Sequence, residues 1–127
     1  MNARVAITPP GSTTAGPYSP GVRAGDYLFV SGQIAYGEAL RTSGVEEQTA
    51  RALENVRDVL SAAGLTLADV VKTTSYLDGE ADFAKFNSVY ATYFEVPRPA
   101  RTTVRSQLSS LIPGLLVEID AIAYCGG

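Results

Sequence analysis

Histidine is absent from this sequence of 127 residues, and cysteine occurs once, as Cys125. Without histidine, the chain has no Ser-His-Asp triad, no Cys-His pair and no zinc site built on imidazole ligands. A single cysteine also excludes a disulfide framework within the chain and a cysteine-rich metal site. We therefore expect a protein that works without a metal or another cofactor.

Positive charge and long apolar runs are scarce as well. Ten basic residues against 13 acidic ones give a net charge of −3 and a pI near 4.8, which argues against nucleic acid as a partner. No apolar run approaches membrane-spanning length, and the residues around Arg4 lack the apolar core of a secretory signal. With 46% apolar residues, the composition is that of a soluble globular protein. We expect one domain over residues 1–127 and a cytoplasmic location.

Apolar periodicity and turn residues predict an α+β fold. The segments before and after Gly25-Asp26 alternate like the two strands of a β-hairpin. In chain order the prediction is a possible edge strand at 3–7, a loop at 8–20, hairpin strands at 22–24 and 27–31, a helix at 43–63, a strand at 70–77, a helix ending near 95, a strand that includes 102–104, a turn-rich connection at 106–114 and a strand at 115–124.

The ends of the two helices carry recognisable signals. Ser43 and Glu46 have the spacing of a capping box, and Gly64 has the position of a C-terminal cap. Asp78 is the expected cap of the second helix. That helix presents aromatic side chains at helical spacing, which is more typical of core packing than of a stacking platform for nucleotides: Phe83, Phe86, Tyr90, Tyr93 and Phe94.

Alternation along the strands predicts which residues share a face. Along 115–124 it separates Val117, Ile119, Ala121 and Ala123 from Glu118, Asp120, Ile122 and Tyr124. Along 70–77 it places Val71 with Leu77, and Val70 with Tyr76. Two helices cover only one face of a mixed sheet, so Tyr76, Ile122 and Tyr124 are left uncovered on the other. A second copy of the chain is the simplest cover, and we therefore expect an oligomer.

Within residues 96–104, Arg101 follows two prolines and opens the β-branched run Thr102-Thr103-Val104. Its planar fork of donors matches a carboxylate in bidentate fashion. With Val104 assigned to the helix side, Arg101 and Thr103 fall on the opposite face, which they share with Glu118. A guanidinium, a hydroxyl and a carboxylate would then converge where subunits meet. A solvated arginine at a strand end, or a structural Arg101–Glu118 ion pair, is the alternative.

Three further places are candidates for a binding site. Tyr18 is the one large side chain of the loop at 8–20, which is long enough for a binding role, although such a tyrosine can also be a lid over core. Gly32, next to Ser31, lets a ligand or another backbone come close, or marks a bulge. Asn87 interrupts the aromatic stripe and needs a partner if it is buried.

Taken together, short motifs along almost the whole chain resemble those of the RidA (YjgF) family. Each motif alone is weak, but the combination in this order and spacing is specific. The residues that carry the resemblance are Gly16-Pro17-Tyr18-Ser19, Val30-Ser31-Gly32-Gln33, Gln48, Leu53-x-Asn55-Val56, Ala63-Gly64-Leu65, Val70-Val71-Lys72-Thr73-Thr74, Asp82-Phe83, Asn87-x-x-Tyr90, Pro99-Ala100-Arg101 and Val117-Glu118-Ile119.

The resemblance implies a chorismate-mutase-like fold, with two helices on one face of a mixed sheet. It also implies a homotrimer with clefts between subunits, and cofactor-free hydrolysis of reactive 2-imino or enamine acids to 2-oxo acids and ammonia. By the same resemblance, Arg101 holds the substrate carboxylate, Glu118 positions or activates the attacking water, and Tyr18 helps to close the cleft. The residues implied to line the site are Ser31, Gly32, Asn87 and Thr103.

The chain departs from the family's pattern at Pro20, at Thr103 and in a longer connection over residues 106–113, and the last two bear on the shape of the pocket. Two other functions stay open. One is an oligomeric sensor or binding protein that captures small carboxylates through Arg101 without turnover. The other is RNA cleavage, against which the acidic composition and the lack of histidine argue.

Overall fold

The computed structural model describes residues 3–14 and 16–126. It contains a mixed sheet and two long helices, in addition to a short helix that the sequence did not predict. The strands are β1 (Val5–Ile7), β2 (Gly21–Ala24), β3 (Tyr27–Gln33), β4 (Val70–Asp78), β5 (Ala100–Ser106) and β6 (Val117–Tyr124). The helices are α1 (Glu38–Thr42), α2 (Val45–Ala62) and α3 (Phe83–Tyr93), with single 3₁₀ turns at Leu67–Asp69 and Leu108–Ser110.

The six strands lie in the order β1-β2-β3-β6-β4-β5. Only β4 and β5 pair in parallel, because α3 carries the chain back between them, and the other neighbours are antiparallel. The strands β1 and β5 form the two edges. The predicted hairpin and the predicted edge strand at the N-terminal side are both confirmed.

The core lies between one face of the sheet and the helices α2 and α3. The predicted inward residues of β6 are all buried, and its outward residues are not. Leu53, Val56 and Leu60 of α2 and Phe86 of α3 pack into the same cluster, each contributing about 1.5–3 kcal/mol through burial. The predicted α+β architecture, with two helices on one face, is confirmed.

The predicted start of α2 is wrong in detail, whereas its predicted end is confirmed. Gly44 occupies the N-cap position and no side chain caps the helix, so Ser43 and Glu46 form no capping box. At the other end Gly64 has a φ of +76°. The amide of Leu65 donates to the carbonyl of Leu60 and that of Gly64 to Ser61, as in a Schellman cap.

The helix α3 is capped by Asp82 and not by Asp78. The Oδ1 of Asp82 accepts a hydrogen bond from the amide of Lys85 at 3.0 Å. Asp78 is buried and accepts from the amide of Ser109 at 2.8 Å. Hydrogen bonds from the backbone and the side chain of Ser109 hold the pKa of Asp78 below its ordinary value. Asp78 therefore ties the 3₁₀ turn after β5 to the end of β4.

A bulge changes which residues of β4 face the helices. The register with β6 shifts between Val70 and Lys72, so Val70 is buried whereas Val71 is 44% exposed. The expected pairing of Val71 with Leu77 on one face is therefore wrong. After the bulge, Thr73, Ser75 and Leu77 lie on the helix side, because a bulge inserts one residue and restores the alternation out of phase.

The second face of the sheet, here called the open face, is covered by no helix. It exposes large apolar side chains that include Tyr27, Phe29, Val104 and Tyr124. Ile122 and Tyr76 lie on the same face and are half-buried. Among the described residues, no helix is both long enough and apolar enough to cross a membrane. The large apolar side chains exposed on the open face give it the character of a surface that proteins bury against another protein.

Candidate functional site

Arg101 lies on the helix side of β5, which corrects the expectation that it shares a face with Glu118. It pairs with Thr73 of β4 in a parallel register, and paired residues project from the same side of a sheet. Thr73 is fully buried beneath α3. Val104 pairs with Tyr76, lies on the open face and is 38% exposed. The error came from assigning the apolar Val104 to the core.

Aromatic rings of α3 hold the guanidinium of Arg101. Its Cζ lies 4.8 Å from the ring centroid of Tyr90, 5.4 Å from that of Phe86 and 5.9 Å from that of Phe83, distances at which a cation is attracted to an aromatic ring. The hydroxyl of Tyr90 is in turn fixed by a 2.6 Å hydrogen bond with Thr73. The core prediction for the aromatic stripe is confirmed for Phe86, Tyr90 and Phe94, whereas Phe83 is 43% exposed. The stripe is also a platform for this arginine.

The side-chain donors of Arg101 are unpaired within the part of the chain that the structure describes. The guanidinium makes no hydrogen bond or ion pair with any residue that the structure describes. It opens into a cleft of about 360 Å³, whose lining residues are Asn87, Tyr90, Ala91, Arg98, Pro99 and Arg101. Thr103 lies on the same side of β5, two positions further along, and pairs with Ser75. The structure thus brings Asn87 to Arg101 and places Thr103 on the same side.

Glu118 lies on the open face of β6, directly against Gly32 of β3. A Cβ atom at Gly32 would overlap the carboxylate of Glu118 and would lie 2.8 Å from its Cδ. Burial raises the pKa of Glu118 above its ordinary value of 4.5, and the negative charge of Asp120 raises it further. Asp120 is itself held by the hydroxyl of Tyr76, which donates to Oδ2 at 3.2 Å.

Tyr36 lies within electrostatic reach of both Glu118 and Tyr18. Burial raises the pKa of Tyr36, and the nearby Tyr18 and Glu118 raise it further. Tyr18 and Tyr36 line one small cleft together with the loop before β2. Tyr18 was predicted and Tyr36 was missed. The available signal was a large aromatic residue directly before a glycine, just beyond the strand that carries Gly32.

Ser31 has a different place from the one expected of a lining residue. Its hydroxyl donates to the carbonyl of Ser19 at 2.6 Å, and its amide donates to the carbonyl of Pro20 at 2.9 Å. Both bonds attach the end of the loop at 8–20 to β3. Ser31 therefore fixes the segment that carries Tyr18, and its hydroxyl is already engaged.

One chain consequently presents two half-sites on opposite faces of its sheet. The arginine half-site comprises Arg101, Asn87 and the aromatic platform beside the edge strand β5. The acid half-site comprises Glu118 and Gly32 on the open face, with Tyr36 within electrostatic reach of Glu118 and Tyr18 beside Tyr36. An unpaired cation and an acid with a raised pKa are groups that an acid–base site for small organic acids would use, but a single chain does not bring these two together.

Comparisons with known proteins match the whole fold. A RutC family protein of Pyrococcus horikoshii is 46% identical over 113 residues, which cover 86% of this chain and 87% of the relative. The mouse 2-iminobutanoate/2-iminopropanoate deaminase is 37% identical over 126 residues, 97% of this chain and 92% of the relative. Among solved structures, Rv2704 of Mycobacterium tuberculosis, a member of the YjgF/YER057c/UK114 family, superposes with a TM-score of 0.79 at 36% identity and covers 96% of this chain and 99% of that one.

The family model described as Endoribonuclease L-PSP matches residues 10–125. That range includes both half-sites and every strand except β1. The relatives agree with the resemblance that the motifs carry, since they include proteins named for deamination of reactive intermediates. The chain therefore belongs to the endoribonuclease L-PSP family, the group that contains the RidA (YjgF) proteins.

Proposed function

We propose that this protein hydrolyses reactive 2-imino and enamine acids to 2-oxo acids and ammonia. The proposed site forms between copies of the chain, with Arg101 of one copy holding the substrate carboxylate and Glu118 of the next handling the water. The mouse relative named 2-iminobutanoate/2-iminopropanoate deaminase supports the reaction class. The observation that carries the proposal is the separation of an unpaired guanidinium from an acid of raised pKa on two faces of one sheet.

The open face supports assembly as the way to unite the half-sites. Its exposed aromatic and apolar side chains need a cover, and Arg101 lies on an edge strand that can reach across a neighbour. Because an edge and a face are different surfaces, the contact is heterologous, and such a contact closes into a ring when the rotation from one copy to the next permits closure. We propose a ring of three, so that each cleft takes its arginine from one copy and its acid from the next.

The proposed reaction requires few groups from the protein. Water adds to the C=N carbon of the imine, and one of its protons moves to the nitrogen. The second proton of that water then moves to the nitrogen as well, and ammonia leaves as the C=O bond forms. Imines already hydrolyse in water, so neither a nucleophilic side chain nor a metal is needed. One carboxylate that accepts and returns a proton supplies an acceleration of about 10²–10⁴-fold. The raised pKa of Glu118 brings it closer to the pH at which a general base is efficient.

Subunit complementation tests the proposal directly. We expect Arg101→Ala and Glu118→Gln proteins to be inactive separately and to regain activity when they are unfolded together and reassembled. In a random ring, about a quarter of the clefts combine an intact arginine from one variant with an intact acid from the other. The measurement is suppression of semicarbazone formation while an amino-acid oxidase supplies the imine.

The control for complementation is each variant reassembled alone, which should stay inactive. Mixed proteins that elute as one oligomer but show no recovered activity would contradict a site shared between copies. Wild-type protein that gives no acceleration with any 2-imino acid would end the deaminase proposal itself.

We expect Gly32→Ala to lower kcat/KM by about 10- to 100-fold, since a misplacement of 1 Å at a reacting group costs up to that much. The added methyl group occupies the place of the Glu118 carboxylate, which must swing away. The fold should survive because the displaced atoms are the end of a flexible side chain. Gly79→Ala is the matched control, because a Cβ there meets open space. Equal activity of the two variants would contradict the role of the contact.

A further inference from the structure

A second arginine faces the cleft of Arg101. Arg98 lines the same cleft, together with Asn87, Tyr90 and Pro99. The positive charges of both arginines act on the hydroxyl of Tyr90, where they oppose the rise in pKa that burial causes. Tyr90 is therefore within electrostatic reach of two guanidinium groups. The cleft, with its two cations, has a volume of about 360 Å³, which is within the size range of small-molecule sites.

Both guanidinium groups are held in place before any ligand arrives. The Nε of Arg98 donates to the carbonyl of Phe94 at 3.1 Å, and its two terminal nitrogens form no hydrogen bond with a residue that the structure describes. Arg98 lies between Pro97 and Pro99, and proline fixes its own φ and restricts the residue before it. Arg101 lies against three aromatic rings. Binding an anion here costs less side-chain entropy than ordering two free arginines would.

The two charges have no counter-ion within the described part of the chain. The lining residues of the cleft include no aspartate or glutamate, and neither arginine forms an ion pair with a described residue. One carboxylate neutralises only one of the two charges. A ligand with two anionic groups matches the cleft better, because each guanidinium can then form charge-assisted hydrogen bonds.

We infer that this cleft selects 2-imino dicarboxylic acids, with Arg101 on the carboxylate beside the imine carbon and Arg98 on the distal carboxylate. The inference rests on the proposed function for its reaction, and on the arginine pair for its substrate class. Arg98 is then a specificity-determining residue: it affects dicarboxylates and leaves monocarboxylates nearly unchanged.

The kinetic experiment compares imines of the two classes. D-aspartate oxidase acting on D-glutamate supplies the dicarboxylate imine, and D-amino-acid oxidase acting on D-alanine supplies the monocarboxylate imine. We expect Arg98→Gln to lower kcat/KM for the dicarboxylate by about tenfold, the scale of one charge-assisted hydrogen bond, with a change of less than about threefold for the monocarboxylate. Arg98→Lys should recover part of the loss, since it keeps the charge without the fork.

A matched control separates a local contact from the general field of the protein. Arg57 is an exposed arginine that lines a different cleft, on the other side of the segment that contains Pro97 and Pro99. Arg57→Gln removes the same charge, and we expect it to change neither substrate's kcat/KM by more than about twofold. An equal loss in Arg98→Gln and Arg57→Gln would overturn the inference.

Equilibrium binding keeps the test independent of turnover. By calorimetry, we expect 2-oxoglutarate to bind the wild-type oligomer more tightly than pyruvate does, and Arg98→Gln to remove that preference. The preference without any turnover would overturn the deaminase proposal and support the dianion site. Turnover with no preference, or Arg98→Gln protein that falls apart in sedimentation because Arg98 is a subunit contact, would overturn the dianion site alone.

Discussion

Arg101→Ala is expected to lower kcat/KM for 2-imino acids by about 100-fold or more. The substitution removes a bidentate, charge-assisted contact to the substrate carboxylate, and such hydrogen bonds contribute about 1.5–3 kcal/mol each. The fold should survive, because the guanidinium packs on the faces of Tyr90, Phe86 and Phe83 and such contacts contribute only about 0.5–1 kcal/mol at partly exposed sites. Steady-state assays with oxidase-generated imines, together with thermal melting, check both parts.

Arg101→Lys is the control that separates charge from geometry. Lysine keeps the positive charge but offers a point charge in place of a planar fork, so we expect activity between that of Arg101→Ala and that of the wild type. If Arg101→Ala were nearly as active as the wild type, the substrate carboxylate would have to be held elsewhere. If Arg101→Ala failed to melt cooperatively, the Arg101→Lys protein would carry the comparison instead.

The sequence predicts which residues of a strand face the core only when the apolar residues of that strand clearly alternate with polar ones. In β6 the alternation is complete, from Val117 to Tyr124, and both of its faces were predicted correctly. In β5 the β-branched residues suit either face, and only Val104 argues for one. Val104 was assigned to the core because it is apolar, but the open face of this sheet is apolar too. Alternation alone could not distinguish the core from a face that another protein covers.

Other differences come from contacts that are distant in sequence. Asp78 and Asp82 are both suitable N-cap residues. Asp78 accepts a hydrogen bond from the amide of Ser109 instead, and Asp82 caps the helix. The start of α2 similarly depends on distant groups. The buried Gln48 donates to the carbonyl of Gly114 and accepts from the amide of Leu116, both at 2.8 Å. No local sequence pattern predicts hydrogen bonds between residues so far apart in the chain.

The sequence suggests which residues form the candidate site, but it does not specify how the structure arranges them. Motifs identified Arg101, Glu118, Tyr18, Gly32 and Asn87, because each belongs to a short pattern with a physical reason. The separation of Arg101 from Glu118 depends on the parallel register between β4 and β5, which strand periodicity does not specify. Tyr36 was not considered in the sequence analysis, because it lies in none of these motifs.

Glu118→Gln is expected to lower kcat by about 10²–10⁴-fold, the range that general acid–base catalysis contributes. Glutamine keeps the shape of the side chain but cannot accept the proton of the attacking water. In the wild-type protein the base must be ionised, so the rate rises with pH through a pKa above 4.5. We expect this acidic limb of the pH–rate profile to be absent from the residual activity of Glu118→Gln.

Stability should change in the opposite sense to activity. Burial and Asp120 raise the pKa of Glu118 in the folded state, so ionisation of Glu118 costs folding free energy as the pH rises from 4.5 through the raised pKa. Glu118→Gln removes that cost and should melt at or above the wild-type temperature at neutral pH. A variant that loses both activity and stability would indicate a structural role for the carboxylate.

Asp120→Asn controls for the electrostatic origin of the limb, since Asp120 is the charged group that raises the pKa of Glu118. We expect Asp120→Asn to shift the acidic limb to lower pH while the enzyme stays active.

Affinity for a 2-oxo acid separates catalysis from binding alone. Glu118→Gln should still bind the 2-oxo acid, because Arg101 supplies that contact. If Glu118→Gln keeps its affinity and the wild-type protein turns over no imine, the results favour a binding protein. If Glu118→Gln keeps its affinity but loses the turnover that the wild type shows, the chemistry is assigned to Glu118.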